Sequence, residues 1–232
     1  MNLLRQVQLF SELPEAELKQ IAETAVMLRR ARNQIIFDEG DPGDFLLVLT
    51  SGRAKVALVG EGAQEIILNF VEPFRIVGEI APLDRSTRSA RLVALADCQF
   101  IKLPVRSFDA LRANNPAFAT KVIAHLTSTL RETNDQLNVI CTFRSLGRVA
   151  WCLDRLVRQR GKVKGSSATL DPCPKHHELA QMTGCSRETV SRALKTLRQK
   201  HCITPGLGDG IEVHEAIVRY TKRPWPVSAR NR

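Results

Sequence analysis

Two stretches of this 232-residue sequence carry residue types at spacings that can do chemistry. The first is VGEIAPLDRSTRSA, residues 77–90, where Glu79 and Arg88 stand close to apolar flanks. An isolated charge is costly to desolvate, so a carboxylate or guanidinium near apolar surroundings must be paired and hydrogen-bonded. Glu79 and Arg88 therefore hold each other as a structural ion pair, or they hold a third group.

The second is HHELAQMTGCSRETVSRALKTLRQK, residues 176–200. It reads as two short helices broken at Thr183-Gly184, with Ser186 as the N-cap of the second. Val190, Leu194 and Leu197 form an inward face, while Arg187, Glu188, Ser191, Arg192 and Lys195 point outward. This is the layout of a helix-turn-helix. Arg187 and Arg192 suit the bidentate fork to guanine, and Glu188 can accept from cytosine N4. Ser186, Thr189 and Ser191 are candidate phosphate donors, and Lys175, His176 and Lys195 add charge near a DNA backbone. The following CITPGLGDGIEV reads as two short strands around a glycine-rich turn, the wing of a winged helix.

The charge supports that reading. Residues 1–137 hold 16 basic and 17 acidic side chains, a net −1, whereas residues 138–232 hold 18 and 7, a net +11. A basic domain beside a neutral one suggests that one half meets a polyanion, double-stranded DNA, and the other does something else.

The elements that must position these residues follow from the texture of the chain. SELPEAELKQIAETAVMLRR opens with Ser11 as a capping signal and reads as a short N-terminal helix. From Arg32 to about Val105, short runs such as QIIF, FLLVL, AKVALV, EIILNFV, RIVGEI, ARLVALA and CQFIKL alternate with turn clusters such as DEGDPGD, TSGR and GEGAQ. That pattern predicts a sandwich or barrel, plausibly a jelly roll. Helical periodicity returns near Ser107 and dominates from Pro116 to Ile140. Ile123, Leu126, Leu130, Thr133, Leu137 and Ile140 repeat in the 3-4 spacing of a coiled-coil seam, which favours a homodimer over packing on the chain's own sheet. The polar Thr133, with Asn134 beside it, interrupts that seam and needs a register role or a partner. A hinge is expected at 141–145, then a helix, a strand and turn in KVKGSSATLDPCP, and the helix-turn-helix.

Several classes are excluded. No apolar run approaches a membrane span, and the N-terminus lacks the features of a signal peptide, so a cytoplasmic protein that meets no membrane is expected. The six cysteines (98, 141, 152, 173, 185 and 202) form no C-x-x-C pair, which argues against a zinc site, an iron–sulfur cluster or a disulfide scaffold. The five histidines (125, 176, 177, 201 and 214) all lie outside the strand-rich segment. That speaks against haem there and against a nucleotide-hydrolysing enzyme with a metal–histidine cluster. The wing and recognition helix speak against a regulatory module that serves only a partner protein.

From about Leu9 to His214 the chain resembles the cyclic-AMP receptor protein / fumarate-nitrate-reductase-regulator family of bacterial transcription factors. The resemblance rests on IFDEGDPGDFLLVLTSGRAKV, on GEIA…RSA and on GCSRETVSRALKTL, the last being closest to the cyclic-AMP receptor protein branch. It implies an α+β architecture: a β-roll with its N-terminal helix over 1–106 and a dimerisation helix over 107–140. After the hinge it implies a winged helix-turn-helix over 146–214 and a basic tail over 215–232.

By the same resemblance the roll holds a cyclic nucleotide, cyclic AMP or cyclic GMP. Arg88 clamps the cyclic phosphate, Ser89 and backbone N–H groups complete the anion site with Ile80 and Ala81 in the same loop, and Glu79 accepts from the ribose 2′-OH. Gly78 lets the backbone come close. Thr133 and Asn134 reach the adenine edge, and the DNA half-sites are TGTGA-like. RNA polymerase is an implied partner, with the hairpin near 162–168 as its candidate contact. Two departures leave base preference and cradle detail open: the loop from Glu79 to Arg88 is one residue shorter than in that branch, and Asn134 replaces a serine. A constitutive regulator, or one sensing another small molecule, remains the alternative. The tail is a basic arm that adds DNA affinity, or plain surface.

Overall fold

A computed structural model describes residues 2–60 and 64–226, and these divide into two compact units, Met1–Arg131 and Glu132–Arg232. The middle of the GEGAQ turn and the last six residues of the basic tail lie outside the described residues.

The first unit begins with helices α1 (Asn2–Arg5) and α2 (Glu15–Thr24). Eight strands follow: β1 (Val26–Arg30), β2 (Ile35–Phe37), β3 (Phe45–Ser51), β4 (Ala54–Val59), β5 (Glu65–Val71), β6 (Ile76–Val77), β7 (Arg91–Ala94) and β8 (Cys98–Pro104). A five-residue helix, α3 (Ile80–Asp84), interrupts them between β6 and β7. The strands form two four-stranded sheets, ordered β1-β8-β3-β6 and β2-β7-β4-β5, in which every pairing is antiparallel. Helix α4 (Val105–Asn114) follows, and then the long helix α5 (Pro116–Thr142).

Two cores explain why FLLVL is apolar without alternation. Leu47 and Leu49 point between the two sheets, beside Phe37, Val77, Leu92 and Phe100. Leu46 and Val48 point the other way, into a core with Phe10, Leu18, Phe108, Phe118 and Val122 from the helices. A strand buried on both faces reads as a continuous apolar run.

The N-terminal helix differs from expectation at both ends. Ser11 is not its cap: the Ser11 hydroxyl donates to the Gln8 carbonyl at 2.9 Å, and the N-cap position is Pro14, with Glu15 and Glu17 in the first turn. The helix stops at Thr24, and VMLRR is not helical but forms β1, paired with β8 from Val26↔Lys102 to Arg30↔Cys98. Ladder pairing with a distant strand overrides the helical continuation that the local sequence permits.

The second unit holds the end of α5, helix α6 (Ser145–Arg160), the hairpin β9 (Lys162–Lys164) and β10 (Ser167–Leu170), helices α7 (His176–Thr183) and α8 (Arg187–Gln199), and the wing strands β11 (Ile203–Pro205) and β12 (Ile211–His214). Its sheet is ordered β11-β12-β10-β9. Helices α5 and α6 are separated by Phe143 and Arg144 alone, a shorter break than the expected hinge. The segment after His214 is not a loose arm as far as Pro226. A 3-10 turn (Glu215–Ile217) and helix α9 (Val218–Thr221) fold back onto the domain, with Ile217 and Thr221 buried.

Candidate nucleotide pocket and nucleic-acid interface

Arg88 sits at the turn into β7 and is the largest side chain among those fully buried, 2% exposed. Its backbone is pinned to the DEGDPGD loop: Arg88 N donates to the Asp41 carbonyl, and the Arg88 carbonyl accepts from Gly40 N, each at 2.9 Å. Its Nη1 donates to the Gly78 carbonyl at 2.6 Å and its Nη2 to the Phe45 carbonyl at 2.7 Å. The guanidinium lies 4.4 Å from the ring centroids of both Phe37 and Phe45, a cation stacked on two aromatic faces. Nε is buried without a hydrogen-bond partner. Burial pulls the Arg88 pKa below the ordinary guanidinium value, against the opposing pull of Asp44, Asp41 and Glu79. The group stays a cation, held by neutral carbonyls.

The structural ion pair between Glu79 and Arg88 is not formed. The Glu79 carboxylate instead meets Nε2 of His125, from α5, at 3.2 Å. Gly78 has φ +76, and a Cβ there would come within 2.8 Å of Arg88 Nη1 and 3.2 Å of the Phe37 ring, so glycine is required on both counts. Of the remaining expected residues, Ile80 and Ser89 are exposed and Ala81 is buried. The structure therefore brings Gly78, Glu79 and Arg88 together, with Ser89 on the rim. Phe37, Phe45 and His125 were not anticipated. Phe37 on β2 and Phe45 on β3 both lie more than 40 residues before Arg88, and strand pairing brings them to it. Thr133 and Asn134 are exposed on α5.

A cyclic phosphate fits these residues. The orphaned Nε on a buried cation, with no carboxylate neutralising it, is the feature an anion would complete. Among the described residues no cluster of His, Cys, Asp or Glu could hold a metal ion, and no helix is long and apolar enough to cross a membrane.

In the second unit, Gly184 turns between α7 and α8 at φ +62. Ser186 caps α8 by accepting from Thr189 N at 3.2 Å, as expected. Val190, Leu194 and Leu197 are buried, while Arg187, Glu188, Arg192 and Lys195 are exposed on the opposite face. The carboxyl of Glu188 is held below its ordinary pKa by its own backbone N–H first, then by Ser186, Arg187 and Arg192, so it remains an acceptor. Four candidate phosphate groups have internal partners. The Ser186 and Thr189 hydroxyls meet at 3.0 Å, Ser191 donates to the Arg187 carbonyl at 3.0 Å, and Nδ1 of His176 lies 2.9 Å from the Ser191 hydroxyl. The last contact ties α7 to α8. Lys175 stands exposed at the N-cap of α7, where its backbone N–H donates to Glu178 at 2.7 Å. The wing tip carries Leu207, 89% exposed.

Comparison with known proteins gives matching halves. Residues 28–115 match the cyclic nucleotide-binding domain and residues 147–216 the Crp-like helix-turn-helix domain. The sequence is 35% identical over 185 residues to the cyclic AMP receptor protein of Thermus thermophilus, covering 79% of this chain and 81% of that one. The chain belongs to the cyclic-AMP receptor protein / fumarate-nitrate-reductase-regulator family. It is a DNA-binding transcriptional regulator with a cyclic-nucleotide-binding domain, and not an enzyme. Another family member, the CRP-like cAMP-activated global transcriptional regulator of Mycobacterium tuberculosis, is 28% identical over 70% of this chain and 73% of its own. Among solved structures, the fold resembles a CooA mutant from Carboxydothermus hydrogenoformans, with TM-score 0.75 and 21% identity over 95% of this chain and 94% of that one. The catabolite activator protein of Thermus thermophilus aligns at TM-score 0.52 and 30% identity, covering 92% and 98%.

Proposed function

We propose that this regulator is a homodimer switched by a cyclic nucleotide bound in the β-roll. The observation that carries the reading is Arg88: a buried cation stacked on two aromatic rings, with an unpartnered Nε and no carboxylate partner of its own. The nucleotide supplies a single phosphate charge, a ribose 2′-OH and a purine edge. Arg88 and Ser89 hold the phosphate, with Gly78, Ile80 and Ala81 shaping the loop around it. Glu79 accepts from the ribose hydroxyl, exchanging part of its contact with His125 for it. Thr133 and Asn134 take the purine edge, and Asn134 can both donate and accept. The Thermus and Mycobacterium relatives named above support cyclic AMP as the first ligand to try, with cyclic GMP second.

Two copies pair along α5, where Ile123, Leu130 and Leu137 lie exposed at the seam spacing. Bound nucleotide favours the dimer in which the two recognition helices stand one DNA turn apart, roughly 34 Å. Arg187, Glu188 and Arg192 then read TGTGA-like half-sites. Lys175, His176, Ser186, Thr189, Ser191 and Lys195 face phosphates, although the hydroxyls must share their internal bonds to do so. The hairpin at 162–168 is the surface offered to RNA polymerase, and the protein works in the cytoplasm.

The test is a calorimetric titration of wild type and Arg88→Ala with cyclic AMP and, separately, cyclic GMP. Saturable binding lost in a folded Arg88→Ala supports the phosphate clamp. No binding of either nucleotide to wild type overturns it and leaves a regulator that is constitutive or senses another molecule.

A further inference from the structure

Helices α5 and α6 are joined by only Phe143 and Arg144, and side-chain contacts across that break add to the backbone link in holding the angle between them. Those contacts converge on Trp151 of α6. The Arg155 guanidinium lies 5.5 Å from the Trp151 ring centroid and donates through Nη1 to Gln136 of α5 at 2.8 Å. The Arg223 guanidinium lies 5.1 Å from the same centroid and pairs with Asp135 of α5. Thus two neighbouring residues of the long helix are each held by an arginine stacked on one tryptophan. Arg223 belongs to the segment that follows the wing, and that segment is anchored on both sides. Thr221 before it is buried, Arg158 donates to the Pro224 carbonyl, and Trp225 donates to the Gly165 carbonyl at 3.1 Å. Lys222 lies 5.6 Å from the ring of Phe143, inside the break itself.

We infer that Arg223 is a positioning residue that couples the long helix to the DNA-binding domain, so that a ligand engaging Thr133 and Asn134 moves α6 through Asp135 and Gln136. This rests on the cyclic-nucleotide reading above. Asp135 is 54% exposed at its side chain, so its ion pair contributes little to stability. What the pair supplies is geometry. Asp135 and Gln136 directly follow Thr133 and Asn134, and a helix transmits a turn or shift to its next residues almost undiminished. A rotation of α5 that satisfies a purine therefore strains or makes the Asp135–Arg223 contact, which gives the two-state element that coupling requires.

The experiment compares wild type, Arg223→Ala, Arg223→Lys and the charge swap Asp135→Arg with Arg223→Asp. Cyclic AMP binding is followed by calorimetry. DNA affinity for a TGTGA palindrome is followed by anisotropy at one salt concentration, with and without nucleotide. Amide exchange across 140–148 and tryptophan emission report the junction without any ligand; of the chain's two tryptophans, Trp151 carries both arginines and Trp225 lies two residues beyond Arg223.

In Arg223→Ala, junction exchange should accelerate several-fold. The factor by which nucleotide tightens DNA binding should fall at least ~5-fold, within the range of ordinary coupling energies. Nucleotide should still bind, Arg223→Lys should retain part of the coupling, and the swap should restore most of it. An unchanged coupling factor in Arg223→Ala with nucleotide bound overturns the inference, as does unchanged junction exchange. A wild type that binds no nucleotide overturns the cyclic-nucleotide reading and the relay with it; the exchange arm then still decides whether Arg223 holds the junction.

Discussion

The exposed stripe on α5 makes the proposed dimer quantitative. Ile123, Leu130 and Leu137 are 64%, 60% and 60% exposed, although large apolar side chains on a structured helix are normally covered. Fully burying such a side chain is worth about 1.5–3 kcal/mol, so covering the exposed three-fifths of Leu130 yields ~1–2 kcal/mol. A two-fold seam uses Leu130 twice. Leu130→Ala should therefore weaken the dimer by ~2–4 kcal/mol, raising its dissociation constant about 30- to 1,000-fold. Sedimentation velocity over a concentration series measures this directly. Ser128→Ala, exposed on the same helix but off the stripe, is the control and should leave the constant unchanged. A wild type that is monomeric at tens of micromolar, or a Leu130→Ala dimer as tight as wild type, would refute the assignment of this stripe to a seam.

Four further outcomes are expected. Arg88→Lys keeps the charge but offers one compact ammonium where the guanidinium serves two carbonyls, so the roll should lose about 1–3 kcal/mol and nucleotide affinity at least tenfold; thermal melts and calorimetry check the two effects separately. Ser186→Ala removes the cap of the recognition helix and should cost about 1 kcal/mol in denaturant unfolding, with weaker DNA binding alongside. Burial pushes the Cys152 thiol up to about 12, whereas Cys141 is exposed, so mass spectrometry after mild alkylation should find Cys141 modified and Cys152 intact until the protein unfolds. The Arg91 side chain, bonded to Asp38 at 2.9 and 2.5 Å, holds that carboxyl below its ordinary pKa. Because the folded value is the lower one, the Asp38 contribution is present above the ordinary carboxylate range and is lost as pH falls through the lowered value. Carbon-detected titration should show the Asp38 pKa rising in Arg91→Ala.

The DNA-reading half was the more legible because its determinants are local. Ser186, Gly184 and the Val190–Leu194–Leu197 spacing lie within one short stretch, where caps, turns and periodicity act on neighbours. The roll was legible in class and less so in detail. VMLRR carries no Gly or Pro to stop a helix, and only its pairing with residues 98–102 makes it a strand. Glu79 and Arg88 were visible as charges in need of partners. Their partners, His125 for one and the Phe37 and Phe45 rings for the other, are brought in by chain segments over 40 residues away in most cases. The segment after His214 reads as a basic tail because five of its six charged residues are basic, yet Ile217 and Thr221 are buried in the domain, and Trp151 takes up Arg223.

The double burial of β3 leaves its alignment unguarded by hydrophobicity. A strand with one wet face cannot slip by one residue without turning its greasy side outward. Here a slip exchanges Leu46 and Val48 for Leu47 and Leu49, oil for oil, at little cost in transfer energy. Alignment must be pinned from outside the apolar run, and Gly52 is placed to do it. It has φ +90, and a Cβ there would sit 2.4 Å from the Asp97 carbonyl oxygen and 2.8 Å from Cys98 Sγ, at the start of the neighbouring β8. The smallest residue, in the turn that carries the chain from β3 to β4, thus acts as the stop against which the greasiest strand is indexed.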